Sequence, residues 1–156
     1  MAESYEVVFQ EVPRKNLFLL LRKMKMNASF ISNINISSEI EISKDFEMCE
    51  SLINDVIDNR GDICLIGEFH GFVVSEKVSI KSVLLRVVKY GVNIDVELSF
   101  DDDGDVSIDD LMKELHQYAK KISEEFDVGV FYGGLEPAMD INTRYFTNDV
   151  VGPMGC

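Results

Sequence analysis

The sequence predicts an α+β fold in which two or three helices pack on one mainly antiparallel sheet. Apolar and polar residues alternate strictly over residues 92–100, as in a strand with one buried face. Over residues 107–126 the apolar residues instead recur with helical spacing. Short connections join most of the predicted strands, and hairpin connections favour antiparallel pairing.

The first part of the chain is predicted to contain a strand, a helix and further strand. Residues 4–12 alternate loosely and are predicted to form a strand that Pro13 ends. We expect a helix over residues 14–26, because four apolar residues there have helical spacing, although the same residues could form a strand. Apolar residues at mostly even spacing over residues 28–43 predict one half-buried strand, or two that meet near the middle.

A second helix and another strand are predicted next. One apolar stripe over residues 44–60 indicates a helix, with Ser43 as its N-terminal cap. Residues 62–76 then have the composition of a strand, and Gly67 and Gly71 suggest a bend or bulge within it.

The next segment predicts a hairpin followed by a helix. Alternating residues over 78–100 surround a turn near Gly91, which indicates two antiparallel strands. The helix over residues 107–126 is predicted to begin after Ser107, whose side chain can cap it. Two aspartates in its first turn suit the helix dipole.

Charge restricts the choice of partner. The chain has 28 acidic and 15 basic residues and a net charge of −13, so it should repel nucleic acid and anionic membranes and attract a basic protein. Residues 95–110 hold eight acids and no Lys or Arg, including Asp101, Asp102, Asp103, Asp105, Asp109 and Asp110. This segment is either a solvated edge that aids solubility or a docking face for a cationic protein.

The sequence contains no recognisable catalytic or cofactor-binding motif. The stretch "SFDDDGDVSIDD" superficially resembles a calcium loop, but it begins with Ser99 and ends with Asp110 where a glutamate is needed. The two histidines lack zinc-site spacing. A Cys64–His70 nucleophile pair is conceivable, yet Cys64 lies in an apolar run where thiols are usually inert. We therefore predict no catalytic residues, no metal and no cofactor.

The three cysteines are odd in number and widely spaced, which fits free thiols in a reducing cytoplasm. Cys49 and Cys64 lie in apolar patterns and are expected to be small core residues. The first ten residues lack the basic and apolar regions of a secretion signal. We expect a cytoplasmic protein with one domain over residues 1–156.

The segment "FYGGLEPAMDINTRYFTND" follows a predicted strand over residues 128–132. Gly133 and Gly134 can adopt backbone angles closed to other residues, so we expect a sharp turn there. Pro137 should stiffen the loop that follows. The segment is predicted to be an ordered loop that closes the fold or docks a partner.

Four residues of this loop are candidate binding residues. Aromatic and arginine side chains are over-represented as binding anchors, which singles out Tyr132 and Arg144. Arg144 is expected to bridge Glu136 or Asp140 and so fix the loop. The six aspartates are the first candidate for the predicted binding face, and these four residues are the second.

The stretch "YGGLEPAMDINTRYFT" resembles the C-terminal part of small bacterial immunity proteins encoded beside contact-dependent growth inhibition or other polymorphic toxins. The resemblance covers roughly the last third of the chain and rests on Gly133-Gly134, Glu136-Pro137-Ala138, Asp140, Thr143-Arg144 and the pair Tyr145-Phe146. It implies a cytoplasmic, non-enzymatic antidote that binds and neutralises one cognate toxin C-terminal domain. The implied toxin is a nuclease with a basic surface.

Two other functions remain as alternatives. The chain could be a small enzyme or ligand-binding domain whose site lies near His70, Glu136 and Arg144. It could also be a subunit of a larger assembly whose acidic face meets a cationic neighbour.

Overall fold

The computed structural model describes residues 3–36 and 49–155, and these contain eight strands and three α-helices. In chain order the elements are β1 (Ser4–Gln10), α1 (Arg14–Met26), β2 (Phe30–Ile36), α2 (Glu50–Asp58), β3 (Ile63–Val73), β4 (Ser79–Tyr90), β5 (Asn93–Asp101), α3 (Ile108–Phe126), β6 (Val130–Leu135), β7 (Arg144–Thr147) and β8 (Val150–Val151). Two short 3₁₀ helices, Ile141–Thr143 and Pro153–Gly155, flank β7 and β8.

All eight strands belong to one sheet in the order β2-β3-β4-β5-β1-β6-β7-β8. Every pair of neighbouring strands is antiparallel. The first strand of the chain, β1, lies between β5 and β6 and so joins the middle hairpin to the C-terminal strands. The predicted α+β fold with a mainly antiparallel sheet is confirmed.

The helices pack on one face of this sheet. Tyr5, Val7 and Phe9 of β1 point into a core that also contains Leu17 of α1 and Leu115 of α3. Burial of such side chains contributes about 1.5–3 kcal/mol each. The inward-facing apolar side chains of the strands therefore pack against the apolar stripes of the helices in one hydrophobic core.

The two long predicted helices are confirmed, with one local difference. Residues 14–26 form α1, and all four of its predicted apolar residues are buried. In α3 the expected side-chain cap is absent: the Ser107 backbone carbonyl accepts from the Leu111 N–H at 2.9 Å, as the carbonyl of any N-cap residue does, but its hydroxyl makes no capping hydrogen bond.

The second helix is shorter among the described residues than predicted. It begins at Glu50, and its predicted start at Ser43 lies outside the described residues, as does the second half of the strand predicted over 28–43. Cys49 immediately precedes the helix in an extended conformation and is exposed, so its predicted place in the core is wrong.

The glycine pair near the C-terminus does not form the predicted turn. Gly133 and Gly134 lie inside β6, opposite Val7 and Glu6 of β1. A Cβ on Gly133 would lie 2.5 Å from the ring of Phe146, and one on Gly134 would collide with the Thr143 carbonyl. The glycines are needed because β7 and its preceding loop approach β6 closely.

None of the described helices has the length and hydropathy needed to span a membrane.

Candidate functional site

The sheet face opposite the three described helices is the outer face. Val7 of β1 points to the core, so its neighbours Glu6 and Val8 point outward. Strand register then places Glu97 of β5 beside Val8 and Arg86 of β4 beside Glu97. Alternation, which sequence reasoning did identify, thus puts a row of charged side chains across three strands.

The centre of this row is an ion pair. The Nε and Nη2 atoms of Arg86 donate to Glu97 Oε2 at 3.0 and 2.8 Å. The hydrogen bond to Glu97 raises the pKa of Arg86, so the guanidinium is fully charged. Because Glu97 already engages it, this arginine neutralises little of the surrounding acidic surface.

Ser4 connects the two segments predicted to bind a partner. Its hydroxyl donates to Asp101 Oδ1 at 2.6 Å, and its carbonyl accepts from the Glu136 N–H at 2.9 Å. Residues 101–105, the acidic turn, and the loop of residues 136–143 therefore begin on either side of β1 at the same end of the sheet.

The acidic turn has a defined geometry. Asp102 Oδ1 accepts from the Gly104 N–H and Asp103 Oδ1 from the Asp105 N–H, each at 3.0 Å. Gly104 has φ of +80°, which favours glycine. The side chain of Asp105 forms an exposed ion pair with Lys81 at 3.2 Å. As predicted, the segment connects a strand to a helix.

A concave surface of about 530 Å³ lies at this end of the outer face. Its lining residues that carry charge are Glu68, Lys81, Arg86, Asp101, Asp103 and Glu136. Three of the predicted binding residues, Asp101, Asp103 and Glu136, therefore share one surface although they come from different parts of the chain.

The remaining predicted acids lie elsewhere. Asp109 and Asp110 are exposed in the first turn of α3. Asp109 accepts from the Tyr145 hydroxyl at 3.2 Å and lines a separate cavity of about 300 Å³. Asp140 is exposed, and its carboxylate accepts from the Asn142 N–H at 3.0 Å to begin a 3₁₀ helix.

Arg144 fixes the loop, but not through the predicted carboxylates. Its Nε donates to the Ala138 carbonyl at 2.8 Å, and its Nη1 donates to Thr147 Oγ1 at 3.1 Å. The expected bridge to Glu136 or Asp140 is wrong, because the guanidinium is turned toward backbone carbonyls and the ring of Tyr132.

Tyr132 and Glu6 attach this loop to the sheet. Tyr132 is 3 % exposed and packs with Val8 and Ala138, so a partner can reach it only through the residues that cover it. Glu6 is buried, and its Oε1 accepts from the Ala138 N–H at 2.7 Å. Burial raises the pKa of Glu6, and sequence reasoning missed this residue because charge alone does not reveal burial.

The polar residues around His70 do not form a catalytic arrangement. Ser32 Oγ lies 2.7 Å from His70 Nε2, and Glu68 Oε1 lies 4.0 Å from the same nitrogen. A nucleophile–base pair needs the orienting carboxylate on the other ring nitrogen. Cys64 is six residues away on the same strand, about 20 Å, and burial raises the pKa of its thiol.

Within residues 3–36 and 49–155, no group of three or more His, Cys, Asp or Glu side chains is placed to hold a metal ion.

A bulge in β2 exposes an aromatic residue that the sequence pattern did not reveal. The register shifts between Ser32 and Asn35, and Asn33 has φ of +54°. Phe30 therefore points outward while Ile36 is buried, although their even spacing predicts one common face. The only sequence signal was the asparagine, which tolerates this conformation.

Comparisons with known proteins point to one group. The model of the PABL017 Cdi1I immunity protein family matches residues 3–151. A chain in the crystal structure of the toxic C-terminal tip of CdiA from Pseudomonas aeruginosa in complex with immune protein is 36% identical to this one. The match covers 99% of each chain with a TM-score of 0.89. Among curated proteins, none matches this chain.

Proposed function

The chain belongs to the PABL017 Cdi1I immunity protein family, and we propose that it binds the C-terminal tip of a CdiA toxin and neutralises it. One observation carries this proposal: a chain with the same fold over 99% of its length comes from a structure of such a tip in complex with immune protein. At 36% identity the similarity extends well beyond a shared architecture.

The proposed mechanism is occupancy, without chemistry on the toxin. The hydrogen-bonded groups around His70 lack the geometry of a nucleophile and base. The acidic turn and the loop at residues 136–143 are instead preorganised by their own hydrogen bonds, and a preorganised surface loses little entropy on binding.

The binding surface is proposed to be acidic and the toxin tip basic. A net charge of −13 speeds association with a cationic partner, and four carboxylates against two cations line the concave end of the outer face. Toxins that cut nucleic acid need cationic clefts to grip phosphates, so a nuclease is the proposed target of this chain, which is proposed to act in the cytoplasm. The proposed contact residues are Asp101, Asp102, Asp103, Asp105, Asp109, Asp110, Tyr132, Glu136, Asp140 and Arg144.

Co-expression tests the proposal directly. The CdiA tip encoded beside this gene is expressed from an inducible promoter, with and without the chain, and growth and co-purification are measured. We expect growth to be restored and a one-to-one complex to be isolated. A CdiA tip of different sequence serves as the specificity control and should remain toxic. Continued growth arrest with the adjacent tip, at full expression of the chain, would refute the function.

A further inference from the structure

An exposed aromatic pair occupies the β2–β3 end of the outer face. Phe30 is 56 % exposed, and its ring stacks on His70 with centroids 4.4 Å apart and planes 14° from parallel. His70 in turn accepts or donates a hydrogen bond with Ser32 at 2.7 Å, which fixes the imidazole. The Phe30 ring is therefore held in place by His70 on one side and exposed to solvent, which is typical of an aromatic binding anchor.

A fixed carboxylate lies beside this pair. Ser82 Oγ donates to Glu68 Oε1 at 2.6 Å, and Asn33 Nδ2 donates to Glu68 Oε2 at 3.2 Å. These two hydrogen bonds lower the pKa of Glu68, so the group is ionised at neutral pH. Within the described residues, Glu68 forms no ion pair with a lysine or arginine at 4.0 Å or less.

The surface continues from this pair into the concave region. Leu84, which is 39 % exposed, lies opposite Glu68 in the register of β3 and β4 and also lines the concavity. Arg86 beyond it is engaged by Glu97. An aromatic ring, a fixed carboxylate and an apolar side chain thus follow one another across β2, β3 and β4.

We propose, building on the toxin-neutralising function, that this half of the outer face is where the toxin tip docks, with one toxin arginine stacked on Phe30 and paired with Glu68. An arginine satisfies both groups at once, because its planar guanidinium stacks on aromatic rings and pairs with carboxylates. A second copy of this chain is a poor occupant, since each copy carries a net charge of −13. A toxin with a basic surface matches that charge.

A double-mutant cycle tests the shared contact. Phe30→Ala, Glu68→Gln and the double variant are titrated calorimetrically with the purified CdiA tip encoded beside this gene. Each single variant should weaken binding about tenfold, as truncated anchors do. The double variant should weaken it less than the product of the two effects, because both residues contact one toxin side chain. Leu84→Arg, which places a positive charge in the path of the toxin, should weaken binding at least as strongly.

Matched controls lie on the helix side of the molecule. Leu19→Ala removes a comparably exposed apolar side chain from α1, and Glu124→Gln removes an exposed carboxylate from α3. Both should bind with unchanged affinity. Circular dichroism confirms that each variant is folded.

Three results would overturn the inference. Unchanged affinity for Phe30→Ala, Glu68→Gln and Leu84→Arg would show that the toxin docks elsewhere, while the proposed function stood. Fully multiplicative effects would show that the two residues do not share a toxin side chain. Failure of the unaltered chain to bind the tip would remove the proposed function itself, and the inference with it.

Discussion

The guanidinium carbon of Arg144 lies 4.0 Å from the centroid of the Tyr132 ring, directly over its face. The same arginine donates to the Ala138 carbonyl, and Ala138 is fully buried in contact with Val8 and Tyr132. The stack therefore closes a small second core, with Val8, on the outer face of the sheet. This arrangement explains how residues 136–143 stay ordered without a carboxylate partner for the arginine.

Replacing Arg144 should destabilise the fold measurably. Arg144→Ala removes the stack and the donors to backbone carbonyls, so we expect the free energy of unfolding to fall by about 2 kcal/mol. Arg144→Lys keeps the charge but lacks the planar fork, and about 1 kcal/mol should be lost. Urea denaturation measures both. Lys121→Ala, an exposed residue of α3, is the control, and wild-type stability in Arg144→Lys would contradict the role of the stack.

Alanine at the two β6 glycines should destabilise by a steric mechanism. In Gly133→Ala the new methyl meets the buried ring of Phe146, and in Gly134→Ala it meets the rigid backbone at Thr143. We expect losses of about 1–3 kcal/mol, typical of overpacking, in thermal or urea unfolding.

Gly129→Ala is the matched control for this pair. Beyond its two chain neighbours, no atom lies within 4 Å of the position that the Cβ of residue 129 would take, so the stability of this variant should stay within about 0.5 kcal/mol of wild type. Equal losses at Gly129 and Gly133 would contradict close packing against Phe146 as the reason for glycine at position 133.

The sequence pattern predicted the helices and strands correctly where the apolar residues that it singles out are also the ones buried in the structure. The stripes of α1 and α3 and the alternation of β5 each match a face that is buried in the structure. The prediction failed at Gly133 and Gly134, because a glycine pair signals either unusual backbone angles or a close approach. Only the positions of Phe146 beside Gly133 and of the Thr143 backbone beside Gly134, which are set by tertiary packing, decide between them.

The candidate site was harder to foresee than the fold. The sequence shows that acids are dense over residues 95–110, but not that β1 enters between β5 and β6 and links Asp101 to Glu136 through Ser4. The bulge at Asn33 that turns Phe30 outward also depends on strand pairing. Long-range register is a property of the whole sheet, and composition does not encode it.

Stability should depend on pH through Glu6. Burial is the main cause that raises the pKa of Glu6 above the ordinary value of 4.5, and the nearby charges of Glu136 and Glu97 add to it. The hydrogen bond from the Ala138 N–H and the charge of Arg86 oppose this rise but do not cancel it. The folded state then keeps a proton that the unfolded state has released, so this residue makes stability fall as pH rises from 4.5 through its folded pKa. Above that pKa the loss is complete and constant.

Glu6→Gln should remove this pH dependence. The amide oxygen can still accept from the Ala138 N–H, and no charge is buried. We expect the variant to be more stable than wild type at neutral pH, with the difference shrinking toward pH 4.5 in urea denaturation. Glu124→Gln, exposed on α3, controls for loss of one charge. Parallel pH curves for wild type and Glu6→Gln would contradict the assignment.

The acidic turn should act mainly on the rate of association with the toxin tip. Asn at positions 101 and 103 keeps the side-chain oxygens that accept from the Ser4 hydroxyl and the Asp105 N–H, so with Asn also at position 105 the turn geometry survives while three charges are lost. By stopped-flow mixing at low salt, we expect the triple variant Asp101→Asn, Asp103→Asn and Asp105→Asn to associate on the order of tenfold more slowly. The dissociation rate should change little, because the contribution is steering at long range.

Two experiments, one at high salt and one with a control variant on α3, distinguish steering by the acidic turn from the effect of a lower net charge. At 1 M salt the Debye length is about 3 Å, so the rates of wild type and triple variant should converge. The matched control removes three charges from the C-terminal end of α3, as Glu124→Gln, Glu125→Gln and Asp127→Asn, and Asn tolerates the left-handed conformation of residue 127. If the control slowed association as much as the turn variant, net charge and not the acidic turn would guide the toxin, and the turn would be a solubility feature.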